Sequence, residues 1–282
     1  MTRVARRSAP VSRRLGRVVA LTTTGVLLLF AVVLLGAVYG GIAAKGWLGA
    51  DFITYRNYGA HFLATGNFYM PNQYVAPWWV GSGNPPPANL YPPPALYLFV
   101  AFTFIPWPLW WGIPLGLSAW VIWWWRPALW SWPIIAAILC TVPFAAAVTL
   151  GNSGMWVMAA IALATRWPAA SWFLVAKPND LVLTLPFVPK RGWWVGLVAA
   201  ALVSLPLLPL WIDWLTALRF YAGATWLYEV EAWPMLLIPV LARLASTRKG
   251  VALGGAKGAV LRLRREALRR KGGYIRPPEP DR

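Results

Sequence analysis

A 23-residue uncharged stretch near the N-terminus, from Val18 to Gly40, is the feature that most restricts the fold. At the helical rise it is long enough to cross a hydrocarbon core of about 30 Å. Similar apolar stretches recur, and only 12% of the 282 residues are charged, against about 25% in soluble domains. The sequence therefore predicts an all-α polytopic membrane protein. The apolar core of a cleaved signal peptide is normally about 7–15 residues, so we expect an uncleaved first helix.

Single basic residues divide the remaining apolar sequence into further predicted spans. Arg126, Arg166 and the Lys190-Arg191 pair each separate two apolar stretches, and basic residues at span ends favour the cytoplasmic side. The stretch 91–105 is about fifteen residues long, which predicts a short or re-entrant helix. About six full crossings are predicted, with re-entrant or broken helices between them: Val18–Gly40, Leu109–Trp125, Trp132–Leu150, Met155–Thr165, Trp193–Trp211 and Trp233–Leu244.

The formal net charge of +18 is concentrated at the two ends of the chain. Residues 1–17 carry six arginines and no acid, and residues 245–282 form a second basic tail. These flanks predict that both termini are cytoplasmic, with a basic helix at 259–271 on the inner leaflet. A basic balance can also indicate nucleic acid, but charge confined to juxtamembrane tails fits topology and anionic membrane lipids better, so no nucleic-acid partner is expected. The transmembrane domain is then 18–244, with an outer catalytic loop at 41–94.

The start of this outer loop gathers several ionisable side chains. Asp51, Tyr55, Arg56, Tyr58 and His61 fall within eleven residues, just beyond the first predicted span. Ionisable groups at a membrane boundary are candidates for function. The structural alternative is that Asp51 caps a helix that begins at the next residue, with Arg56 as a solvated neighbour. From residue 71 to 94 the loop is rich in Pro, Gly and Asn, which predicts extended or turn conformations.

A lysine lies in the middle of an apolar stretch between two basic turns. Lys177 is followed by Pro178, and each arm of about ten residues would extend roughly 15 Å as a helix. Lys177 and Asp180 could therefore reach the middle or the outer half of the membrane. A lysine at that depth must face protein or a cavity. The alternative is an ion pair between Lys177 and Asp180 that stabilises a break in the helix.

The counts of cysteine and histidine limit the metal chemistry. Cys140 is the only cysteine and His61 the only histidine, which excludes an intrachain disulfide, a cysteine-rich metal site and an HExxH site. No metal ligands are predicted. The phosphate-binding patterns GxxxxGK[ST] and GxGxxG are absent, so an ATP-driven pump or a soluble nucleotide-sugar enzyme has no support. The paired and triple tryptophans suit the headgroup layer, and less often a sugar platform.

The order of several short motifs along residues 18–190 resembles a known family. In chain order the motifs are DF-x-x-Y at 51–55, Gly66 with Tyr69, Tyr91-Pro92-Pro93, Gly151-Asn152 after a span, and Lys177-Pro178 inside a broken apolar segment. This order is similar to that in the GT-C-type membrane glycosyltransferases of glycosyltransferase family 87. Members of that family are the polyprenyl-phosphate-mannose-dependent mannosyltransferases of actinobacterial envelopes.

The resemblance implies a GT-C-like fold in a bacterial plasma membrane. It implies transfer of a sugar, with mannose the one expected, from a polyprenyl-phosphate donor to an envelope lipid or glycan acceptor on the outer face, with inversion at the anomeric carbon. Asp51 matches the family's general base, and Lys177 matches the lysine of its broken segment. The remaining matched positions are Tyr55, Gly66, Tyr69, Tyr91, Pro92 and Asn152.

The residues are consistent with this chemistry when they are considered alone. An acceptor hydroxyl must lose its proton as it attacks, and a carboxylate is a competent general base. The leaving lipid phosphate needs a cation, which Lys177, Arg56 or a bound divalent ion could supply. Tyr55 or His61 could hold the carboxylate ready. No other cofactor is indicated.

Two other classes of function remain as alternatives. The first is a non-catalytic scaffold or carrier subunit of envelope biogenesis that binds lipid phosphates, and such a protein should tolerate replacement of Asp51 by Asn. The second is a small-solute transporter, which would usually show paired halves with matched broken helices. Only one such break, at Lys177-Pro178, is visible.

Overall fold

Helices dominate the part of the chain that the structure describes. The computed structural model describes residues 9–74, 89–177, 180, 185, 190–220 and 233–246, with side chains from residue 14 onward except at residue 233. One isolated β-bridge joins Pro127 to Ser246. The all-α prediction is confirmed for these residues. The helices are α1 (Ala9–Ala44), α2 (Ala50–Thr65), α3 (Ala95–Phe104), α4 (Leu109–Trp125), α5 (Trp132–Leu139), α6 (Val142–Leu150), α7 (Gly154–Arg166), α8 (Arg191–Ser204), α9 (Leu208–Arg219) and α10 (Trp233–Leu244).

Within the described ranges, two helical stretches are long and apolar enough to cross a membrane. They are Arg14–Ala44, within α1, and Arg191–Arg219, which joins α8 to α9 through a short 3-10 turn. A third candidate is the pair Leu129–Leu139 and Val142–Leu150, if this bent pair is counted as one span. This finding is consistent with a membrane protein.

The prediction of about six full crossings is not confirmed. Helices α4, α7 and α10 correspond to three of the six predicted spans, and the bounds of α4 and α10 agree with the prediction. The three helices have only 17, 13 and 12 residues, respectively. At the helical rise these lengths are about 26, 20 and 18 Å, short of a hydrocarbon core of about 30 Å. The stretch 91–105 contains α3, with 10 residues, as expected for a short helix.

The predicted span 132–150 is broken into α5 and α6. The two helices are bent by 64° relative to each other. Pro143 lies in the first turn of α6, where it lacks an N–H and its ring would clash with a carbonyl of an uninterrupted preceding turn. Thr141 starts the second helix, because its side chain accepts a hydrogen bond from the backbone N–H of Phe144 at 3.4 Å. The break therefore has a local cause in the sequence.

The predicted outer loop at 41–94 contains more regular structure than expected. It begins with the last turn of α1 and includes the whole of α2, which ends at Gly66 in a left-handed conformation. A 3-10 turn, Pro71–Tyr74, follows. Another 3-10 segment, Pro168–Ala176, leads to Lys177 in place of a helical arm.

Two large buried clusters and a smaller one around Val121, Trp125 and Ala162 hold the described helices together. The first is aromatic and joins α2, α3 and α4, with the rings of Tyr55 and Phe99 stacked at a centroid distance of 4.9 Å. The second joins α7, α10 and the 3-10 segment before Lys177. Two glycines permit close backbone approach: a Cβ at Gly59 would lie 2.6 Å from the carbonyl oxygen of Phe99, and one at Gly196 would overlap the carbonyl of Ala169.

The molecule has two chemically different ends. We call one the Asp51 end, where α2 begins beside the end of α6, because the N–H of Gly49 donates to Thr149 at 3.0 Å. We call the other the arginine end, where α4, α7 and α10 terminate and α8 begins. The basic residues at the arginine end are Arg126, Arg166, Lys190, Arg191 and Arg243.

Several predictions concern residues outside the described ranges. These are most of the basic termini, including the helix at 259–271, the proline-rich part of the outer loop at 75–88, most of the arm that follows Lys177, and the second outer loop at 221–232.

Candidate functional site

A carboxylate and an amide meet at the Asp51 end. Asp51 lies in the first turn of α2, where the helix dipole favours negative charge. Its Oδ2 accepts a hydrogen bond from Nδ2 of Asn152 at 2.9 Å, and Oδ1 of Asn152 accepts from the N–H of Gly154 at 2.8 Å. The N-cap residue is Gly49, so the alternative in which Asp51 caps the helix is wrong. The carboxylate is oriented by a residue from a distant turn.

The turn that carries Asn152 requires glycine at the preceding position. Gly151 has φ 76°, a left-handed backbone conformation that residues other than glycine rarely adopt. A Cβ there would also lie 2.8 Å from the Trp111 ring and 2.9 Å from Cβ of Phe52. Glycine thus allows the turn to pack directly against the start of α2, which brings Asn152 to Asp51.

Two indoles fix this turn from α4. Nε1 of Trp110 donates to the carbonyl of Gly151 at 2.8 Å, and Nε1 of Trp111 donates to the carbonyl of Val148 at 2.7 Å. These carbonyls are at the C-terminal end of α6, where helical acceptors lack partners in their own helix. Trp110 is fully buried, so at this pair the tryptophans support the site and do not act as headgroup anchors.

A chain of three hydroxyls lies next to Asn152. Oη of Tyr91 is 2.6 Å from Oγ of Ser153 and 3.0 Å from Oη of Tyr55. Burial, followed by the nearby Tyr91 and Asp51, raises the pKa of Tyr55 well above its usual value. Tyr55 is therefore a neutral phenol at physiological pH, able to donate a hydrogen bond but not to act as a base.

A pair of buried amides holds Tyr91 in place. Nε2 of Gln73 donates to the carbonyl of Asn89 at 3.0 Å, and Nδ2 of Asn89 donates to the carbonyl of Phe68 at 2.9 Å. Oδ1 of Asn89 accepts from the N–H of Tyr91 at 3.2 Å, while the Tyr69 hydroxyl donates to the Tyr91 carbonyl at 2.9 Å. The YPP motif is thus anchored on both sides of its tyrosine.

A cavity of about 390 Å³ lies beside the hydroxyl chain. Its lining includes Tyr91, Ser153 and Lys177 among mainly apolar side chains from α3, α7, α8 and the 3-10 segment. Lys177 faces a cavity, as expected for a lysine inside an apolar stretch. Because α8 belongs to the candidate membrane span Arg191–Arg219, one wall of the cavity is formed by a helical stretch that is long enough to cross a membrane.

The position of Asp180 leaves the structural role of Lys177 open. Asp180 is buried, and its backbone N–H donates to the carbonyl of Lys177 at 3.1 Å. The two residues are therefore close in space. A structural pairing between them remains the alternative to a phosphate-binding role for Lys177.

Tyr91 and Lys177 line the cavity, and the other six predicted site residues do not: Asp51, Tyr55, Arg56, His61, Tyr69 and Asn152. Arg56 is exposed on α2, and within the described residues its side chain forms no hydrogen bond or ion pair. His61 is half-buried, with Nε2 buried and lacking a hydrogen-bond partner in the same ranges. Neither is bonded to Asp51, so neither holds the carboxylate. Tyr69 is buried and contacts the site through the backbone of Tyr91.

The described side chains do not form a recognisable metal-binding site. In the ranges that the structure covers, no group of three or more His, Cys, Asp or Glu residues comes together. Cys140 lies at the break between α5 and α6, where its Sγ contacts the carbonyl of Leu27 at 2.8 Å.

Sequence reasoning did not select several residues that build the site. Ser153 directly follows the recognised Gly-Asn pair, and this adjacency was its one available signal. Gln73 and Asn89 carried no signal, because their pairing across 16 positions depends on how the intervening chain folds. Trp110 belongs to a tryptophan pair that was interpreted as a membrane anchor.

The fold and the site together define a helical protein with candidate membrane spans and a polar cluster beside a largely apolar cavity. No family model, curated protein or solved structure matches this chain. A functional assignment therefore depends on the residues of the site and on the motif resemblance described above.

Proposed function

We propose that the chain is a membrane glycosyltransferase that uses a polyprenyl-phosphate sugar as donor. The observation that carries the proposal is the pairing of Asp51 with Asn152, next to Ser153, which shares a cavity with Lys177. Asp51 and Asn152 do not line the cavity themselves, but Asn152 directly precedes Ser153, which lines it together with Lys177 and apolar side chains. The motif resemblance supports mannose as the sugar and an envelope lipid or glycan as the acceptor.

The proposed reaction is a single displacement at the anomeric carbon. The acceptor oxygen forms a bond to that carbon while the bond from carbon to the phosphate oxygen breaks. The carboxylate of Asp51 takes the acceptor proton, and the bonding electron pair leaves with the polyprenyl phosphate. Attack from the face opposite the leaving group inverts the anomeric configuration.

Each neighbouring residue has a role in this scheme. Asn152 orients the Asp51 carboxylate by its hydrogen bond to Oδ2, and the carboxylate accepts the acceptor proton. Tyr91 and Ser153 present hydroxyls that can orient the sugar. The ammonium of Lys177 would stabilise the negative charge that develops on the departing phosphate. The apolar walls would hold the first isoprene units of the donor.

The proposal includes an orientation in a bacterial plasma membrane. Basic residues favour the cytoplasmic side, which would put the arginine end and both termini in the cytoplasm and the Asp51 end outside. The number of crossings would be even, with α4, α7 and α10 completing the bundle as short spans around which the bilayer thins. A reporter that is active only in the cytoplasm should give a signal when it is fused after Arg126, and a reporter that is active only outside should give none. An external signal would contradict both the orientation and the span count.

The first experiment compares sugar transfer in membranes that hold equal amounts of wild-type chain and of the Asp51→Asn variant. Radiolabelled polyprenyl-phosphate-mannose is the donor, and label in membrane lipids or polymers is counted. Asn keeps an oxygen that accepts from Asn152 but is not a base, so we expect transfer to fall about 10²–10⁴-fold without loss of folding. The matched control is Asp213→Asn, which changes a carboxylate of α9 that does not pair with Asn152 and should retain transfer.

Unchanged transfer in the Asp51→Asn variant would contradict the role of base. If folded, correctly oriented wild-type protein transferred no label while still binding polyprenyl phosphate, the non-catalytic scaffold would become the better explanation.

Lys177→Ala tests the contact with the donor phosphate. Removal of the ammonium should reduce transfer several-fold or more, because the developing phosphate charge loses its cation. Lys45→Ala is the control, since Lys45 lies at the same end and rests on the Trp47 ring at 5.2 Å. Wild-type transfer in Lys177→Ala would leave Lys177 as a structural partner of Asp180.

A further inference from the structure

Two arginines at the arginine end rest on the indoles of a single tryptophan run. Cζ of Arg166 lies 4.0 Å from the ring centroid of Trp124, and Cζ of Arg243 lies 3.9 Å from that of Trp125. The two indoles are only 4.6 Å apart, centroid to centroid. We call Arg166 and Arg243 the arginine pair. The indoles meet edge to face at 80°, so the two guanidinium groups rest on adjoining rings, which we call the aromatic wall, although they come from α7 and α10.

Additional contacts fix this wall and its cations. Nε1 of Trp125 donates to Oγ1 of Thr165 at 2.8 Å, and Oγ of Ser246 donates to the carbonyl of Trp125 at 2.7 Å. Arg166 also lies 4.3 Å from the centroid of Trp167. The ends of α4, α7 and α10 are thus tied together, and the arginine pair has a defined position.

The arginine pair lacks protein acceptors within the described residues. Neither arginine forms an ion pair or a side-chain hydrogen bond there, and Nη1 of Arg166 is buried without a partner. Stacking uses the flat faces of a guanidinium and leaves its N–H donors, which lie in the plane, available for an anion. A buried donor of a charged group that stays without an acceptor is costly. An anion that accepts from the remaining donors of both arginines would offset the uncompensated charge.

The surroundings of the arginine pair resemble a membrane surface. The indoles of Trp120, Trp123 and Trp167 are exposed beside it, and exposed indoles are typical of the headgroup layer. Exposed Arg126 and Arg191 lie at the same end. An anion that reaches this position would meet cations and interfacial aromatic rings together.

We propose that the arginine pair binds the phosphate of an anionic glycerophospholipid. The planar guanidinium fork matches the oxygens of a phosphodiester, and the neighbouring indoles would contact the glycerol and the first acyl carbons. A soluble phosphate compound offers the same oxygens but no acyl carbons for these rings. This inference does not depend on the proposed glycosyl transfer.

The test measures lipid binding by the full chain in detergent, with native mass spectrometry and thermal unfolding as readouts. The probes are phosphatidylglycerol, phosphatidylcholine and inorganic phosphate. We expect phosphatidylglycerol to bind and raise the unfolding temperature, with little effect from the other two. The double variant Arg166→Gln/Arg243→Gln should bind phosphatidylglycerol about 30-fold more weakly, from the typical contribution of two surface arginines.

The matched control is Arg191→Gln/Arg219→Gln, which removes the same net charge. Only one of these residues lies at the arginine end, so a loss of at most about 5-fold is expected. Equal losses in the two double variants would show diffuse attraction and overturn the proposal. Equal binding of phosphatidylcholine, or an equal shift with inorganic phosphate, would also overturn it. If the first variant does not fold, Arg243→Gln alone is compared with Arg191→Gln, and equal losses in these two single variants would overturn the proposal.

Discussion

The Asp51 end and the arginine end are both polar, yet their side chains are held by different forces. At the Asp51 end the groups are mostly neutral, and each is oriented by hydrogen bonds of 2.6–3.3 Å, such as those of Asn152 and Tyr91. At the arginine end, cations rest on indole faces at 3.9–5.1 Å. Hydrogen bonds depend strongly on angle, whereas attraction between a cation and an aromatic face tolerates sliding.

This difference indicates what each end can do. A fixed carboxylate and fixed hydroxyls suit a reaction in which one proton moves along one direction. A pair of cations on an aromatic wall suits the binding of an anion whose exact placement matters less. Changes of geometry should therefore damage the Asp51 end most, and changes of aromatic surface should damage the arginine end most.

The largest effect on stability is expected from Gly151→Ala. The added Cβ would meet Trp111 and Phe52 below 3.0 Å, at a φ of 76°, so we expect a loss of about 2–6 kcal/mol in the free energy of unfolding. Gly66→Ala is the control, because Gly66 has φ 75° and open space around it, and it should lose only about 1–2 kcal/mol. Chemical or thermal unfolding in detergent measures both. Equal losses would mean that packing at the Asn152 turn is unimportant.

At the arginine end, Trp125→Phe should cost about 1–3 kcal/mol of stability. The change removes the hydrogen bond to Thr165 and weakens the surface under Arg243. Trp123→Phe changes an indole that is 76% exposed and should alter stability by less than about 0.5 kcal/mol. Unfolding of the two variants side by side separates a structural tryptophan from an interfacial one. Similar values for both would show that the stacked indole contributes nothing specific.

Tyr91→Phe should have a smaller effect on stability, about 1 kcal/mol, and a larger relative effect on transfer. It deletes the hydroxyl that links Tyr55 to Ser153 and keeps the ring. We expect transfer to fall several-fold while the unfolding curve moves little. Tyr39→Phe, at an exposed tyrosine of α1 outside the cavity lining, is the control and should retain transfer. Full transfer by Tyr91→Phe would remove the hydroxyl chain from the proposed mechanism.

The smallest effect concerns alkaline pH and Tyr58. Burial, followed by the nearby Tyr91 and Asp51, raises the pKa of Tyr58 above its usual value near 10. Below pH 10 the folded and unfolded states both keep the proton, so this residue adds no pH dependence. Above pH 10 the unfolded state loses the proton first, and stability should fall by about 0.8 kcal/mol at pH 10.5. In Tyr58→Phe that part of the decline should vanish in unfolding curves between pH 8 and 10.5. An identical decline in the variant would place the pH dependence elsewhere.

The sequence predicted local features well and spatial relations poorly. The bounds of α4 and α10 followed from apolar stretches between punctuating residues, and the position of Asp51 just beyond the first span made it a candidate. The prediction of about six crossings is not confirmed, because α7 and α10 have only 13 and 12 residues and the stretch 132–150 bends near Pro143, which hydropathy does not reveal. The partner of Asp51 could be suspected only through the Gly-Asn motif, since hydrogen bonds between residues 101 positions apart depend on the complete fold.

The contact between Gly196 and Ala169 connects the site to a physical property of the bilayer. A candidate membrane span touches, backbone to backbone, the 3-10 segment that ends at Lys177. A span adjusts its tilt when hydrocarbon thickness changes, so this segment should shift with it. The shape of the cavity would then depend on bilayer thickness. The rate of the proposed transfer should therefore vary with acyl-chain length in reconstituted vesicles. Constant transfer rates in thin and thick bilayers would show that the position of Lys177 does not depend on the tilt of the span.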